Sequence, residues 1–208
     1  MLSRNKNRIK ILPMGKIYFL MGKSASGKDT IYGKLLGDER LHLSPYVGYT
    51  TRPIRSGEEE GVQYHFTTEQ DLADFEQSGK LIEKRVYHTI LGDWYYYSVD
   101  SDDLDLKHKD YIYIGTLESY IKMRDYYGAD KVIPVYIEVE DGLRLERALE
   151  REKRQAEPKY LEMCRRFVAD SADFSEEHLA EAGITERFNN TDMDDCINEI
   201  LQKVFNML

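Results

Sequence analysis

The fold of this chain is decided by Lys16-Ile-Tyr-Phe-Leu-Met21-Gly22-Lys-Ser-Ala-Ser-Gly27-Lys28-Asp29-Thr30. The residues up to Met21 form a short apolar run, which is typical of a buried parallel strand. The glycines that follow have the spacing G-x4-G-K, and an amphipathic stretch continues to about Gly37. Between a strand and a helix, such glycines let backbone N–H groups surround a phosphate while the lysine reaches the outer phosphates. The stretch therefore predicts a phosphate loop.

This loop supplies most of the residues that we expect to bind ATP. They are Gly22, Ser24, Ala25, Ser26, Gly27, Lys28, Asp29 and Thr30. The residue after the lysine is usually a serine or threonine that binds Mg²⁺, but here it is Asp29. A carboxylate can bind Mg²⁺ directly or through water, or it can complement the dipole of the following helix. Both roles of Asp29 stay open, and Mg²⁺ is the expected cofactor.

Strand and helix patterns alternate at both ends of the chain. Buried-strand patterns occupy Tyr111–Gly115 and Val132–Val139, and a helix pattern occupies Leu117–Tyr127 between them. This alternation predicts an α/β domain with a doubly wound parallel sheet. Pro134 is compatible with the second strand only near a sheet edge or a bulge.

The middle of the chain, about 49–99, is rich in strand patterns and predicts an insertion at one edge of the sheet. Its predicted strands are Val47–Thr51, Gln63–Phe66, Leu81–His88 and Tyr95–Val99. A helix is predicted over Thr67–Ser78, because Thr67-x-x-Gln70 has the form of a capping box.

Composition and charge limit the function further. The net charge of −9 argues against general binding to nucleic-acid backbones, which requires a broad basic face. Cys164 and Cys196 lack the spacing of metal ligands and are expected to be free thiols in a reducing compartment. The N-terminus is basic and then apolar like a secretory signal, but Pro13 and Lys16 interrupt it. We therefore expect a cytoplasmic protein that does not associate with membranes.

A second motif lies in the loop that opens the β-rich segment. Arg52 and Arg55 are three residues apart, and Tyr64 follows nine residues after Arg55. Guanidinium groups bind phosphate oxygens in pairs, and a phenol adds another donor. On residue types alone, this pattern fits either a clamp for one phosphate or a solvated surface with Glu58–Glu60 as ion-pair partners.

The run Thr50–Phe66 resembles the nucleotide-monophosphate-binding segment of guanylate kinases, T-T-R-x-x-R-x-G-E-x-x-G-x-x-Y-x-F, at every fixed position. The resemblance extends in order and spacing over about 16–205. It implies a divergent member of this family, a P-loop kinase that transfers the γ-phosphoryl group of ATP to GMP. It also implies a β-rich nucleotide-monophosphate-binding insertion and a helical lid beside the core.

The resemblance assigns the acceptor site residue by residue. The implied acceptor residues are Arg52, Arg55, Tyr64, Glu83, Tyr96 and Ser98. The arginines and tyrosines would hold the phosphate of GMP, and Ser98 would lie on the side of the base. Glu83 would accept hydrogen bonds from guanine N1–H and the 2-amino group, a pair of donors that adenine lacks.

The charged helix predicted over Leu143–Arg154 resembles the lid of the family. Arg147 and Arg151 lie at positions i and i+4, and Arg165-Arg166 follows later. A solvated helix with Glu–Arg pairs is the alternative. The resemblance implies the catalytic residues Lys28, Arg52, Arg147, Arg151 and Arg166. It also implies Asn190 on the adenine side of ATP, with Asn189 as a competing position.

Several positions depart from the family pattern. Ile114 and Thr116 stand where guanylate kinases usually have two aspartates, one near Mg²⁺ and one near the base. Gly48 stands at the position of a serine that donates to the guanine oxygen, unless that position is displaced onto Tyr49. Glu118 is a second candidate for the metal. Because the phosphate contacts are spared, the acceptor's phosphate is better defined by the sequence than its base.

The expected organisation is one guanylate-kinase-like domain over 15–208, preceded by an N-terminal extension. The segments are an extension at 1–14, a core at 15–48, 100–142 and 167–208, an insertion at 49–99 and a lid at 143–166. ATP and a nucleoside monophosphate are the expected partners of a monomer or homodimer. One alternative is a related kinase for another phosphorylated nucleotide or sugar. The other is a catalytically silent interaction module, in which the phosphate-loop motif is normally not intact.

Overall fold

The computed structural model describes residues 15–89 and 92–206, so the extension predicted at 1–14 lies outside the described residues. The elements follow the order β1 (Ile17–Met21), α1 (Lys28–Leu36), β2 (Leu43–Pro45), β3 (Tyr49–Thr50), β4 (His65–Phe66), α2 (Glu69–Gln77), β5 (Leu81–Thr89), β6 (Gly92–Val99), β7 (Asp110–Ile114), α3 (Leu117–Tyr127), β8 (Val132–Glu138), α4 (Asp141–Lys153), α5 (Tyr160–Asp173), α6 (Glu176–Glu181), β9 (Arg187–Asn189) and α7 (Met193–Lys203).

Strand β1 lies at the centre of a five-stranded parallel sheet with the order β2-β7-β1-β8-β9. Ile17 pairs with Tyr111 of β7 on one side and with Val132 of β8 on the other. Every residue of β1 is buried, as expected for a parallel strand whose two faces are both covered by helices. The predicted α/β class with a doubly wound parallel sheet is therefore confirmed.

Alternate residues of β1 face two separate cores. Ile17 and Phe19 pack in the core that includes residues of α3 and α6. Tyr18 and Leu20 pack in the core that includes residues of α1 and α7. Because successive side chains of a strand point to opposite faces, this one strand holds both layers of helices.

A second, four-stranded sheet has the order β4-β3-β6-β5, and all of its strands come from the middle of the chain. Its long hairpin of β5 and β6 pairs Glu83 with Ser98 and Arg85 with Tyr96. Strands β3 and β4 are each two residues long, shorter than the strands predicted there. The bounds of the insertion, core and lid remain predictions.

The start of α2 differs by one residue from the predicted capping box. The N-cap is Thr68, whose hydroxyl accepts a hydrogen bond from Asp71 N–H at 3.2 Å, while Thr68 N–H donates to the Asp71 carboxylate at 2.8 Å. The hydroxyl of Thr67 instead lies 2.6 Å from Tyr97 Oη. The prediction of Thr67 and Gln70 as the box was wrong, because Thr67 is used to hold α2 against the second sheet.

Other elements show smaller differences. Helix α5 begins at Tyr160, two residues after Pro158. Helix α6 was not predicted, and its hydroxyl cap is Ser175. Pro134 precedes the part of β8 that pairs with β9, since that pairing runs from Tyr136. The proline thus lies where β8 has only one partner strand, which agrees with its expected position near an edge.

The described helices were also compared with the requirements of a membrane span. Within 15–89 and 92–206, no helix is long and apolar enough to cross a membrane.

Thr68→Ala should lower the free energy of unfolding by about 1 kcal/mol, because it removes the N-cap of α2. Gln70→Ala removes only a side-chain pair with Asp74, so its expected cost is about 0.3 kcal/mol. Urea denaturation of both variants measures the difference. Equal losses would contradict the position of the cap.

Candidate active site

The glycine loop lies between the end of β1 and the start of α1, as predicted. Gly27 is the N-cap of α1, and no side chain caps this helix. Gly27 and Ala25 adopt left-handed backbone conformations, with φ of 85° and 63°. Because no side chain caps them, the first N–H groups of α1 are available to an anion.

Asn190 supports the loop from behind. Its side chain is fully buried, and Nδ2 donates to the carbonyl oxygen of Ser26 at 2.7 Å. A Cβ at Gly27 would lie 2.3 Å from the same Nδ2, so only glycine leaves room for this contact. In this structure the amide of Asn190 therefore contacts the loop itself, and its place beside adenine stays a prediction.

Three predicted residues lie in the first turn of α1. Lys28 Nζ lies 3.9 Å from Asp29 Oδ2, with side-chain exposures of 19% and 78%. Thr30 is exposed as well. The part of the chain that the structure describes contains no group of three or more His, Cys, Asp or Glu side chains placed to hold a metal. A metal at Asp29 would therefore need most of its ligands from a bound phosphate or from water.

An unpredicted contact joins the loop to the lid helices. The N–H of Ser24 donates to Asp170 Oδ2 of α5 at 2.6 Å. The same oxygen lies 3.4 Å from Nη1 of Arg144, a fully buried residue of α4. Arg144 also pairs with Asp141 at 3.0 Å, and its guanidinium lies 4.0 Å from the centre of the Phe167 ring.

One spacing in the sequence could have indicated the buried contacts of Arg144. The buried residues of α4 are Arg144, Ala148 and Glu152, which are spaced four apart. This spacing places them on one face of the helix. The i and i+4 spacing of Arg147 and Arg151 indicates a different face of the same helix, so the sequence prediction did not include the buried one.

The predicted lid arginines have partners other than the glycine loop. Arg147 Nη1 donates to the carbonyl oxygen of Asn190 at 2.9 Å. Arg166 pairs with Glu162 at 2.8 Å. Arg151 is exposed and lines a cleft between α4 and α5 together with Arg166 and Glu162. Arg147 thus lies beside the phosphate loop, whereas Arg151 and Arg166 share a separate cleft.

The predicted acceptor clamp is assembled around Arg52, which is 3% exposed. Its Nε donates to Tyr96 Oη at 3.0 Å, and its guanidinium lies 5.4 Å from the centre of the Tyr64 ring. The two Nη atoms pair with the carboxylate of Glu58 at 2.8 and 2.9 Å. Arg55 is exposed and contacts Glu58 through its backbone N–H. Three of the four phosphate residues therefore lie together, and Arg55 stands at their edge.

The predicted base-side residues are also in contact. Glu83 Oε1 accepts a hydrogen bond from Ser98 Oγ at 2.9 Å. Ser98 Oγ lies 3.2 Å from Tyr113 Oη. Burial, followed by the charge of Glu83, raises the pKa of Tyr113 to about 12, so its hydroxyl keeps its proton at neutral pH.

Arg85 is a site residue that sequence reasoning missed. Its Nε lies 3.2 Å from Glu83 Oε2, and its Nη2 lies 3.4 Å from Glu83 Oε1. Its Nη1 lies 3.4 Å from the hydroxyl of Thr116 at the start of α3. The signal was present, because residues two apart on a strand point to the same face.

The Arg52–Glu58 pair makes a prediction for acid pH. Hydrogen bonds from Arg52 and from the Arg55 backbone lower the pKa of Glu58 from 4.5 to about 2. A carboxyl with a lowered folded-state pKa stabilises the protein above its ordinary pKa, and the stabilisation is lost as the pH falls through the lowered value. The free energy of unfolding of the natural protein should therefore fall between pH 4.5 and about 2, and this part of the fall should be absent in Glu58→Gln.

Urea denaturation across this pH range measures the effect. The matched control is Glu59→Gln, on the same loop, whose carboxylate forms no ion pair within 15–89 and 92–206. It should keep the acid dependence of the natural protein. Parallel curves for natural protein and Glu58→Gln would show that the pair contributes nothing.

Comparison with known proteins shows similarity to one family. Residues 14–99 match the family described as guanylate kinase. A guanylate kinase from Desulfotalea psychrophila is 35% identical over 75 residues, which cover 36% of this chain and 36% of that protein. A guanylate kinase from Chelativorans sp. is 41% identical over 75 residues, covering 36% and 34%. The chain thus spans about a third of the length of these relatives.

A solved structure extends the similarity in fold. The crystal structure of guanylate kinase from Anaplasma phagocytophilum aligns with 94% of this chain and 88% of its own, with a TM-score of 0.57. At 15% sequence identity this likeness is one of fold. The sequence match covers the glycine loop and the acceptor clamp, and the fold match covers almost all of the chain.

Proposed function

We propose that this chain is a divergent member of the guanylate kinase family and an ATP-dependent phosphotransferase that converts ATP and GMP into ADP and GDP. One observation carries the proposal, namely the presence of two phosphate-binding arrangements in one domain. The first is the uncapped glycine loop with Lys28. The second is the buried Arg52 with Tyr64 and Tyr96. A donor phosphate and an acceptor phosphate each have a site.

On the donor side, backbone N–H groups of the loop bind the phosphates of ATP, and Lys28 reaches the outer ones. Asn190 keeps the loop in place through Ser26. To free its N–H for a phosphate oxygen, Ser24 must release Asp170. Mg²⁺ brought with ATP neutralises charge on the transferring phosphoryl group. The exposed carboxylate of Asp29 fits a hard cation and would hold it.

On the acceptor side, Arg52 already offers its two Nη atoms to a pair of oxygens, those of Glu58. A phosphate presents the same pair of oxygens, so GMP takes the place of Glu58 or shares the guanidinium with it. Arg55 lies exposed beside this position and adds a second charge. Because the acceptor is a phosphate dianion, no strong general base is required.

The lid supplies the remaining positive charge. The transition state of phosphoryl transfer spreads negative charge over the γ-phosphoryl oxygens, so positioned cations lower the barrier. We assign this role to Arg147, Arg151 and Arg166, which exchange their present partners for phosphate oxygens on closure. Closure also excludes water and limits hydrolysis of ATP. A location in the cytoplasm agrees with ATP and GMP as substrates and with the free thiols of Cys164 and Cys196.

A coupled assay of ADP release tests the function across GMP, dGMP, AMP, CMP, UMP and ribose bisphosphate. Turnover with GMP is expected. Turnover with another acceptor and none with GMP would show a related kinase of different specificity. If no acceptor is turned over and ATP does not bind, the chain is an interaction module instead.

Arg52→Ala should lower kcat/KM for GMP by about 100-fold, since two charge-assisted hydrogen bonds to phosphate are lost at ~1.5–3 kcal/mol each before partial compensation by Arg55. The KM for ATP should stay within about a factor of two, because Arg52 does not contact the donor loop. Arg40→Ala, which removes an exposed arginine paired with Asp38, is the control. A kcat/KM for GMP equal to that of the control would contradict the clamp.

Asp29→Ala separates the two roles of this residue. If Asp29 binds Mg²⁺, the variant should need far more Mg²⁺ for turnover and should lose most of its kcat. If it only complements the helix dipole, stability falls by about 0.5 kcal/mol and the kinetics stay unchanged. Mg²⁺ titrations at saturating substrates measure the first effect and thermal unfolding measures the second. Glu118→Gln tests the other candidate ligand in the same way.

A further inference from the structure

Strand β5 presents a pair of opposite charges toward the acceptor site. Glu83 and Arg85 are two residues apart and contact each other. Lys84, between them, pairs with Glu76 of α2, on the other side of the sheet. The side chain of Glu83 is 3% exposed and that of Arg85 is 18% exposed. A buried carboxylate is stable in its charged form only with such a partner.

One edge of the Arg85 guanidinium faces both carboxylate oxygens of Glu83. Nε of Arg85 approaches one carboxylate oxygen at 3.2 Å and Nη2 approaches the other at 3.4 Å. Ser98 Oγ donates to Oε1 at 2.9 Å. Both oxygens of Glu83 therefore already accept hydrogen bonds from the protein.

Guanine would use the same edge of Glu83. Its N1–H and 2-amino group present two parallel N–H donors, and the guanidinium edge formed by Nε and Nη2 presents the same pattern. The two oxygens of one carboxylate can face only one such pair of parallel N–H donors at a time. Arg85 and a guanine base therefore compete for Glu83.

Arg85 lies close to the acceptor phosphate site as well. The rings of Tyr64 and Tyr87 each pack against that of Tyr96, with centroids 5.4 and 5.3 Å apart. The charges of both Arg52 and Arg85 act on the hydroxyl of Tyr64. At its far end, Arg85 Nη1 lies 3.4 Å from the Thr116 hydroxyl. Arg85 is also the cross-strand neighbour of Tyr96, whose hydroxyl contacts Arg52, so the Arg85–Glu83 pair adjoins the predicted phosphate clamp.

We propose that Arg85 is a specificity-determining residue, which occupies the guanine-reading edge of Glu83 in the free protein and must be displaced by GMP. The inference rests on the proposed function, since it takes GMP as the acceptor and Glu83 as the group that reads its base. Each GMP that binds breaks the Arg85–Glu83 pair, so contacts to the base contribute less to affinity than contacts to the phosphate. The natural protein should therefore discriminate weakly between GMP and AMP.

The experiment measures equilibrium binding of GMP and AMP to the full chain by isothermal titration calorimetry. Arg85→Ala should bind GMP about 10-fold more tightly than the natural protein, as expected when a competing charged hydrogen bond is removed. Its affinity for AMP should change by less than about twofold, because adenine lacks the paired donors. Lys84→Ala removes the same charge from the opposite side of the strand and should leave both affinities unchanged.

A double variant tests whether Arg85 acts through Glu83. In a Glu83→Gln background, Arg85→Ala should no longer tighten GMP binding, which gives a coupling between the two sites. If Arg85→Ala does not fold, Arg85→Lys keeps the charge but cannot pair through two parallel N–H groups, and it should tighten GMP binding by about threefold.

The outcomes separate this inference from the proposed function. Unchanged or weaker GMP binding by Arg85→Ala, beside normal turnover of GMP by the natural protein, would overturn the role of Arg85 and leave the kinase intact. Tighter GMP binding without turnover by either protein would support Arg85 and overturn the kinase. Equal gains for GMP and AMP would show that the effect of Arg85 does not depend on the base, and the inference would fail.

Discussion

A Cβ at Gly22 would lie 2.5 Å from the carbonyl oxygen of Ile137, so the glycine loop packs directly on the backbone of β8. Asn190 fixes the other end of the loop through Ser26. Both contacts depend on β1, because its pairing with β7 and β8 sets where the loop emerges from the sheet. The proposed donor site lies in this loop, and helix α5 contacts the loop through Asp170.

Carboxylates pair with several of the groups that we propose to bind phosphate. Glu58 pairs with Arg52 in the acceptor clamp, and Glu162 pairs with Arg166 in the lid. Asp170 accepts a hydrogen bond from the phosphate loop. Two of these pairs satisfy the donors of the buried Arg52 guanidinium and of the Ser24 backbone N–H. Under the proposed function, substrate binding would exchange one anion for another, so the net gain in affinity would be smaller than the number of contacts suggests.

Arg144 links the lid to the loop. It is fully buried between α4 and α5, where Asp141, Asp170 and the ring of Phe167 surround it. A buried cation is costly unless it is paired, so these partners keep the two helices in one relative position. Because Asp170 also contacts the loop, a short chain of polar contacts joins the loop to α4 and α5.

The sequence by itself determined the central strand, the glycine loop, the first helix and the acceptor motif, because each depends on local spacing. The apolar run of β1 and the G-x4-G-K spacing need no distant partner to be recognised. Arg52 and Tyr64 belong to one continuous motif, and their contact follows from it. The resemblance to guanylate kinases depended on the same local pattern and predicted the fold of almost the whole chain.

Only the tertiary structure decided which charged groups meet. The contact of Ser24 with Asp170 joins residues 146 positions apart, and periodicity carries no information on such pairs. The N-cap of α2 is Thr68 and not Thr67, because the Thr67 hydroxyl forms a hydrogen bond with Tyr97 of the second sheet. Arg85 pairs with Glu83 on one face of β5, whereas Lys84 pairs with Glu76 of α2 on the other face. Which elements lie against each face was set by tertiary packing and not by the local sequence.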